Sequence, residues 1–152
     1  VHTNLDKNHE HSNRILAELL GARVGEANPL ENTSCGSLFE LSESVDLGTY
    51  IETIKHALGG TGVINYNDPG RQVKKIFAQS GSFDEDSIPA IVDAGVDTVI
   101  SGEIKHHIML LLDGYGISSI VAGHRETERV FIPNLADVLQ SAFPEIEFLV
   151  SL

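Results

Sequence analysis

The chain has 152 residues, 41% of them hydrophobic, and 10 Lys and Arg stand against 22 Asp and Glu for a formal net charge of −12. That is one domain's length, able to bury roughly 70% of the surface its unfolded form exposes, and its acidity would repel a phosphate backbone, which excludes nucleic acid as an expected partner. No stretch approaches the ~18 apolar residues of a membrane span, so no membrane is expected and a cytoplasmic protein is.

The first residues, "VHTNLD", read as the end of a strand running into a histidine and a carboxylate, His2 and Asp6. "SNRILAELL" then places Ile15, Leu16, Leu19 and Leu20 at helical spacing, with Ser12 as N-cap and Gly21 just past the end. The polar connection that follows carries one short strand near Ser37 to Leu41. "DLGTYIETIKHALGG" is helical through Leu47, Ile51, Ile54 and Leu58 and stops at Gly59.

From Val63 onward β-rich and helical stretches alternate: "VINY", "VKKIFAQ", a helix near Asp84 to Ala94, "DTVISG", a helix near Ile104 to Leu112, "ISSIVAG", a helix from about His124, and a closing "IEFLV". Ser82 with Glu85 fits a capping box for the first of these helices, a better account of "AQSGSFDED" than a phosphate-cradling loop. "FIPNLADVLQSAF" predicts a helix that starts or kinks near Pro133 and turns Leu135, Val138, Leu139, Ala142 and Phe143 inward. Such alternation predicts an α/β fold, a layered sandwich with a mixed, largely parallel sheet flanked by helices. Functional residues in such sheets gather beyond the carboxyl ends of the strands.

Two strand ends repeat one arrangement: His2 with Asp6, and His124 with Glu128. Along a continuing strand these side chains would be about 13 Å apart, whereas on a helical turn their Cβ atoms lie about 5–6 Å apart. Each segment must therefore turn at or just after its histidine to make a metal site. Gly123 allows that turn, and a helix N-terminus there would help to hold His124 neutral. With one cysteine in the chain, imidazole and carboxylate are the available ligands, and they suit zinc, iron, manganese or nickel better than calcium. The alternative is structural: Asp6 capping a helix on a solvated arm, and His124 and Glu128 on an exposed face among Arg125 and Arg129.

"SGEIKHHI" also follows a strand. Adjacent helical side chains point about 100° apart, so only one of His106 and His107 can face a shared pocket. His107, four residues after Glu103, is the candidate, and a surface pair with a carboxylate is its alternative. Cys35 lies in a polar loop with no histidine nearby in sequence, which gives little support to a nucleophilic role.

In that order, "VHTNLD", "SGEIKHHI" and "AGHRETE" resemble the C-terminal half of the NGG-one-interacting-factor-three-like family, whose bacterial members often carry the name GTP cyclohydrolase I type 2. The resemblance spans nearly the whole chain. It implies two divalent metal ions in a cleft between two similar α/β halves, in a homo-oligomer that is often a toroidal hexamer. Carried over, His2 and Asp6 match the ligands of the family's "HTNxD", His124 and Glu128 those of "GHxxTE", and Lys105 and His107 match "TGDxKYH", which lines the same cleft. The chain departs from the family at His106, where tyrosine is usual, and in "AQSGSF", where the family loop is richer in glycine. The resemblance also implies a preceding half of roughly one hundred residues, a small domain's size, with a His-His-Pro motif that supplies further ligands. Residues 1–152 would then be a single α/β domain, part of a two-lobed fold, and alone would bind metal more weakly than an intact family member.

The function so implied is a metal-dependent hydrolase of the GTP cyclohydrolase kind acting on a small molecule, with Lys105 or His107 contacting substrate or moving protons. A non-catalytic metal-binding scaffold or regulatory protein is the alternative, since a fold and a ligand set do not identify a reaction.

Overall fold

A computed structural model describes residues 3–9, 12–60 and 62–151, without the side chains of Thr3 and Asp6. In chain order the elements are α1 (Thr3–Asp6), α2 (Asn13–Leu19), β1 (Ser37–Asp46), α3 (Leu47–Leu58), β2 (Ile64–Asn65), β3 (Gln72–Ser82), α4 (Ile88–Asp93), β4 (Thr98–Glu103), α5 (His106–Gly114), β5 (Ser118–Val121), α6 (His124–Glu128) and α7 (Ile132–Ala142). The strands form one five-stranded sheet in the order β1-β3-β4-β5-β2. Its centre, β3-β4-β5, is parallel, and the two edge strands are antiparallel to their neighbours.

Alternation along the central strands sorts side chains between two cores. Ile76, Ala78, Ile100 and Ile120 meet Leu16, Leu20, Leu47, Ile54 and Leu58 from α2 and α3 on one face. Phe77 and Val99 meet Ile88, Ile91, Ile108 and Leu112 from α4 and α5 on the other. Covered on both faces, β4 is buried from Thr98 to Gly102 and exposed only at Glu103. Each fully buried Leu or Ile contributes about 1.5–3 kcal/mol of transfer free energy.

The helix α3 forms as its pattern dictates. Asp46 caps it, accepting from the Thr49 N–H at 2.8 Å, and Gly59 ends it in the left-handed conformation. In α2 the buried face is Asn13, Leu16, Ala17 and, just past its end, Leu20, while Leu19 is exposed. The predicted stripe is thus shifted by about one residue. Ser12 makes no side-chain cap; its hydroxyl lies 3.0 Å from the carbonyls of Leu5 and Asn8 and ties the start of α2 to α1 and the turn after it.

Four further expectations are corrected. The strand near Ser37 extends to Asp46 through a register shift between Glu40 and Val45. The Ser82–Glu85 capping box does not form: Asp84 accepts from the Asp86 N–H at 3.2 Å and starts a 3-10 turn over Glu85–Ser87. "IEFLV" is not a strand. The last helix does begin near Pro133, at Ile132, after a 3-10 turn over Arg129–Phe131 that separates it from α6. Its apolar stripe is not buried, however: no residue of α7 is, and Val138 and Phe143 are 43% and 46% exposed. No helix among the described residues is long and apolar enough to cross a membrane.

Candidate metal centre

The carboxyl ends of β3, β4 and β5 meet at three glycines. A Cβ on Gly102 would stand 2.6 Å from the Gly81 carbonyl oxygen and 2.7 Å from His124 Cα, so only glycine lets these backbones approach. Gly123 has φ +96°, a turn that sends β5 straight into α6. The buried Thr127 hydroxyl accepts from the Gly81 N–H at 3.1 Å and lies 2.9 Å from the Gly123 carbonyl, locking the first turn of α6 to the end of β3.

On that turn the predicted pair forms. His124 Nε2 lies 3.0 Å from Glu128 Oε1, and the other ring nitrogen, Nδ1, lies 3.0 Å from Glu103 Oε1 at the end of β4. Loss of hydration lowers the imidazole pKa, but the Glu103 hydrogen bond and the charge of Glu128 outweigh it, so His124 titrates above its ordinary value. This corrects the expectation that the helix N-terminus holds the ring neutral. The helix has five residues, and two carboxylates in contact act more strongly than its weak dipole.

His124 and Glu128 open onto a cleft of about 290 Å³, whose walls include Lys7, Cys35 and the β3 end from Gln79 to Ser82. Lys7 follows α1 directly, so the chain just after the predicted ligand Asp6 reaches the same cleft as His124 and Glu128. His2 and the Asp6 side chain lie outside the described residues. Lys105 and His107 sit elsewhere: both face Glu85, at 3.3 and 3.8 Å from its Oε2, and the His107 side chain is 70% exposed. His107 does not pair with Glu103, because β4 ends at Glu103 and Ile104 and Lys105 intervene before α5 begins. His106 instead meets Tyr66 edge-on.

Sequence reasoning missed three neighbours of the pair. Glu103 and His124 are far apart in sequence and meet only because β4 and β5 are parallel neighbours. Cys35 and "AQSGSF", set aside as polar loop and structural cap, both line the cleft.

Among the described residues no three His, Cys, Asp or Glu side chains cluster closely enough to hold an ion. The pair itself fits a metal well. Two ligands at 2.0–2.2 Å from a tetrahedral ion stand about 3.3–3.6 Å apart, so Nε2 and Oε1, now hydrogen-bonded at 3.0 Å, would have to part by only a few tenths of an ångström. A Cβ on Gly81 would lie 2.7 Å from Glu128 Oε1 and 3.3 Å from His124 Nε2, so glycine leaves free the side of the pair that a ligand would approach.

The sequence profile of the Duf34/NIF3 (NGG1p interacting factor 3) family matches residues 1–152. The chain is 36% identical over 116 residues to the NIF3-like protein 1 of Homo sapiens, covering 74% of this chain and 30% of that protein. It is 31% identical over 144 residues to the GTP cyclohydrolase 1 type 2 homolog of Pseudomonas aeruginosa, covering 93% and 56%. The crystal structure of the Staphylococcus aureus hypothetical protein SA1388 shares the fold, with a TM-score of 0.82 at 20% identity over 95% of this chain and 61% of that one. The chain thus spans under a third of the human relative and little more than half of the bacterial one.

Proposed function

Because the chain belongs to the Duf34/NIF3 family, we propose that the cleft beyond β3, β4 and β5 is a dinuclear metal site and that the protein is a metal-dependent hydrolase of the GTP cyclohydrolase kind. The observation that carries the reading is the His124–Glu128 pair, with donor atoms 3.0 Å apart beside Gly81. The substrate class follows the name of the Pseudomonas relative.

In this reading His124 Nε2 and Glu128 Oε1 are two ligands, and His2 and Asp6 are further ones. The ions, when bound, supply Lewis acidity that polarises an electrophile and acidifies a water. The chain's own groups bind and orient. Lys7 puts a cation on the cleft wall of a protein with net charge −12, where an anionic substrate needs one. Lys105 and His107 face Glu85, the residue after the cleft-lining Asp84, and are the groups that would exchange that carboxylate for substrate and hold or move a proton.

The exposed stripe of α7 favours a second feature, assembly into a homo-oligomer such as a hexamer. It suits the scaffold reading as well as the enzyme. The two are separated by metal-dependent turnover of GTP in the full-length protein, compared with a His124→Ala, Glu128→Ala variant. Equal turnover in both removes the hydrolase from this site.

A further inference from the structure

The spacing of four pairs Glu103 with His107, yet the fold holds it against His124. Its backbone is fixed from two sides: Glu103 is in register with Ser82 of β3, and its carbonyl accepts from the Phe83 N–H at 2.8 Å. The preceding Gly102 brings β4 against the His124 backbone, and its carbonyl accepts from the Gly123 N–H at 3.2 Å. The carboxylate therefore starts from a fixed strand end and reaches Nδ1 at 3.0 Å.

We infer that Glu103 is a positioning residue: by accepting the Nδ1–H of His124 it fixes the ring angle at which Nε2 meets an ion in the cleft. The inference rests on the metal-site reading and deepens it. An ionised carboxylate can only accept, and Glu128 stands at Nε2 as Glu103 does at Nδ1, so in the metal-free protein the two compete for the proton of a neutral ring, and an ion on Nε2 leaves that proton to Glu103. Nε2 is then left without a proton, the form an imidazole must have to bind an ion. A carboxylate behind a ligand histidine also makes the nitrogen in front of it more basic.

Stability is not what the contact supplies. The two side chains are 43% and 62% exposed, and exposed ion pairs contribute little. Removing Glu103 should therefore leave the fold intact while loosening the ring, which separates positioning from a structural role.

The test uses the full-length protein and Zn²⁺ as probe, with Glu103→Ala, Glu103→Asp and His124→Ala variants. Side-chain ¹⁵N shifts of His124 in the metal-free protein, where the ring is neutral, should report both tautomers in the wild type and a shift to Nε2–H in Glu103→Ala, where Glu128 is the carboxylate that remains. Zn²⁺ affinity should fall about 10–100-fold in Glu103→Ala, with the melting temperature unchanged, and Glu103→Asp should restore most of it. The same tautomer balance in both proteins overturns the inference. So does wild-type affinity in Glu103→Ala where His124→Ala has lost it, a result that leaves the metal site standing. Unchanged Zn²⁺ binding in His124→Ala defeats the metal-site reading instead, and the ¹⁵N shifts still decide what Glu103 does to the ring.

Discussion

Gly81 stands so close to Glu128 that a Cβ at position 81 would lie 2.7 Å from its Oε1. Position 81 also has φ +66°, where an L side chain is strained. Gly81→Ala should therefore act twice. It should lower stability by more than about 1 kcal/mol through the backbone, and it should push the Glu128 carboxylate off His124. Metal affinity should fall by at least tenfold, beyond what the stability loss explains. A thermal melt paired with a Zn²⁺ titration checks both; wild-type affinity in the variant would show that the bare face of Gly81 has no part in binding.

The raised pKa of His124 makes a prediction with two signs. In the metal-free protein the imidazolium is held between Glu103 and Glu128, so its contribution to stability is complete below the ordinary imidazole value of 6.5 and is lost as pH rises through the higher folded value. Metal binding runs the other way, because the ion replaces the Nε2 proton. Zn²⁺ affinity should keep rising with pH past 6.5 and level only above the folded value. A competitive indicator titration from about pH 6 to about pH 9 reads this. A profile already flat at neutral pH would mean that His124 loses no proton on binding.

What the sequence made legible was local. The His124–Glu128 contact follows from a spacing of four and a glycine that forces a turn, and both can be read from "GHRETE" alone. The α/β sandwich followed from alternating periodicities, and the end of α3 from the glycine at position 59. What could not be read depends on which strands lie side by side. Glu103 reaches His124 because β4 and β5 are parallel and in register, and Cys35 reaches the cleft because β1 pairs with β3 at its own first residue, Ser37 with Ala78. The face of α2 was misjudged for a related reason: its buried Asn13 lies 3.3 Å from the Ser80 N–H, a tertiary contact that counts a polar residue among the inward ones.

Thr127 offers a sharper test of how the site is built. It is fully buried, its hydroxyl accepts from the Gly81 N–H, and it also lies 3.0 Å from the His124 carbonyl. Thr127→Val keeps the shape and leaves the Gly81 N–H without a partner, which should cost about 1–3 kcal/mol. Thr127→Ser keeps the hydroxyl and loses one methyl, so it should retain most of the stability and nearly all of the metal affinity. Equal melting temperatures for the Val and Ser variants would show that the hydroxyl does not hold β3 to α6.

The exposed stripe of α7 separates folding from assembly. Val138 and Phe143 are 43% and 46% exposed, and α7 has no buried residue. Polar substitutions at such positions usually shift stability by less than about 0.5 kcal/mol. Val138→Lys with Phe143→Lys should therefore leave the melting temperature of the dissociated protein almost unchanged. If α7 packs against another copy, burying two lysines there opposes association, because each desolvated ammonium lacks a counter-charge. Sedimentation velocity of the full-length protein, wild type against the double variant, should show the distribution moving to smaller species. An unchanged distribution would mean that α7 takes no part in assembly, and that its apolar stripe is covered within the same chain or not at all.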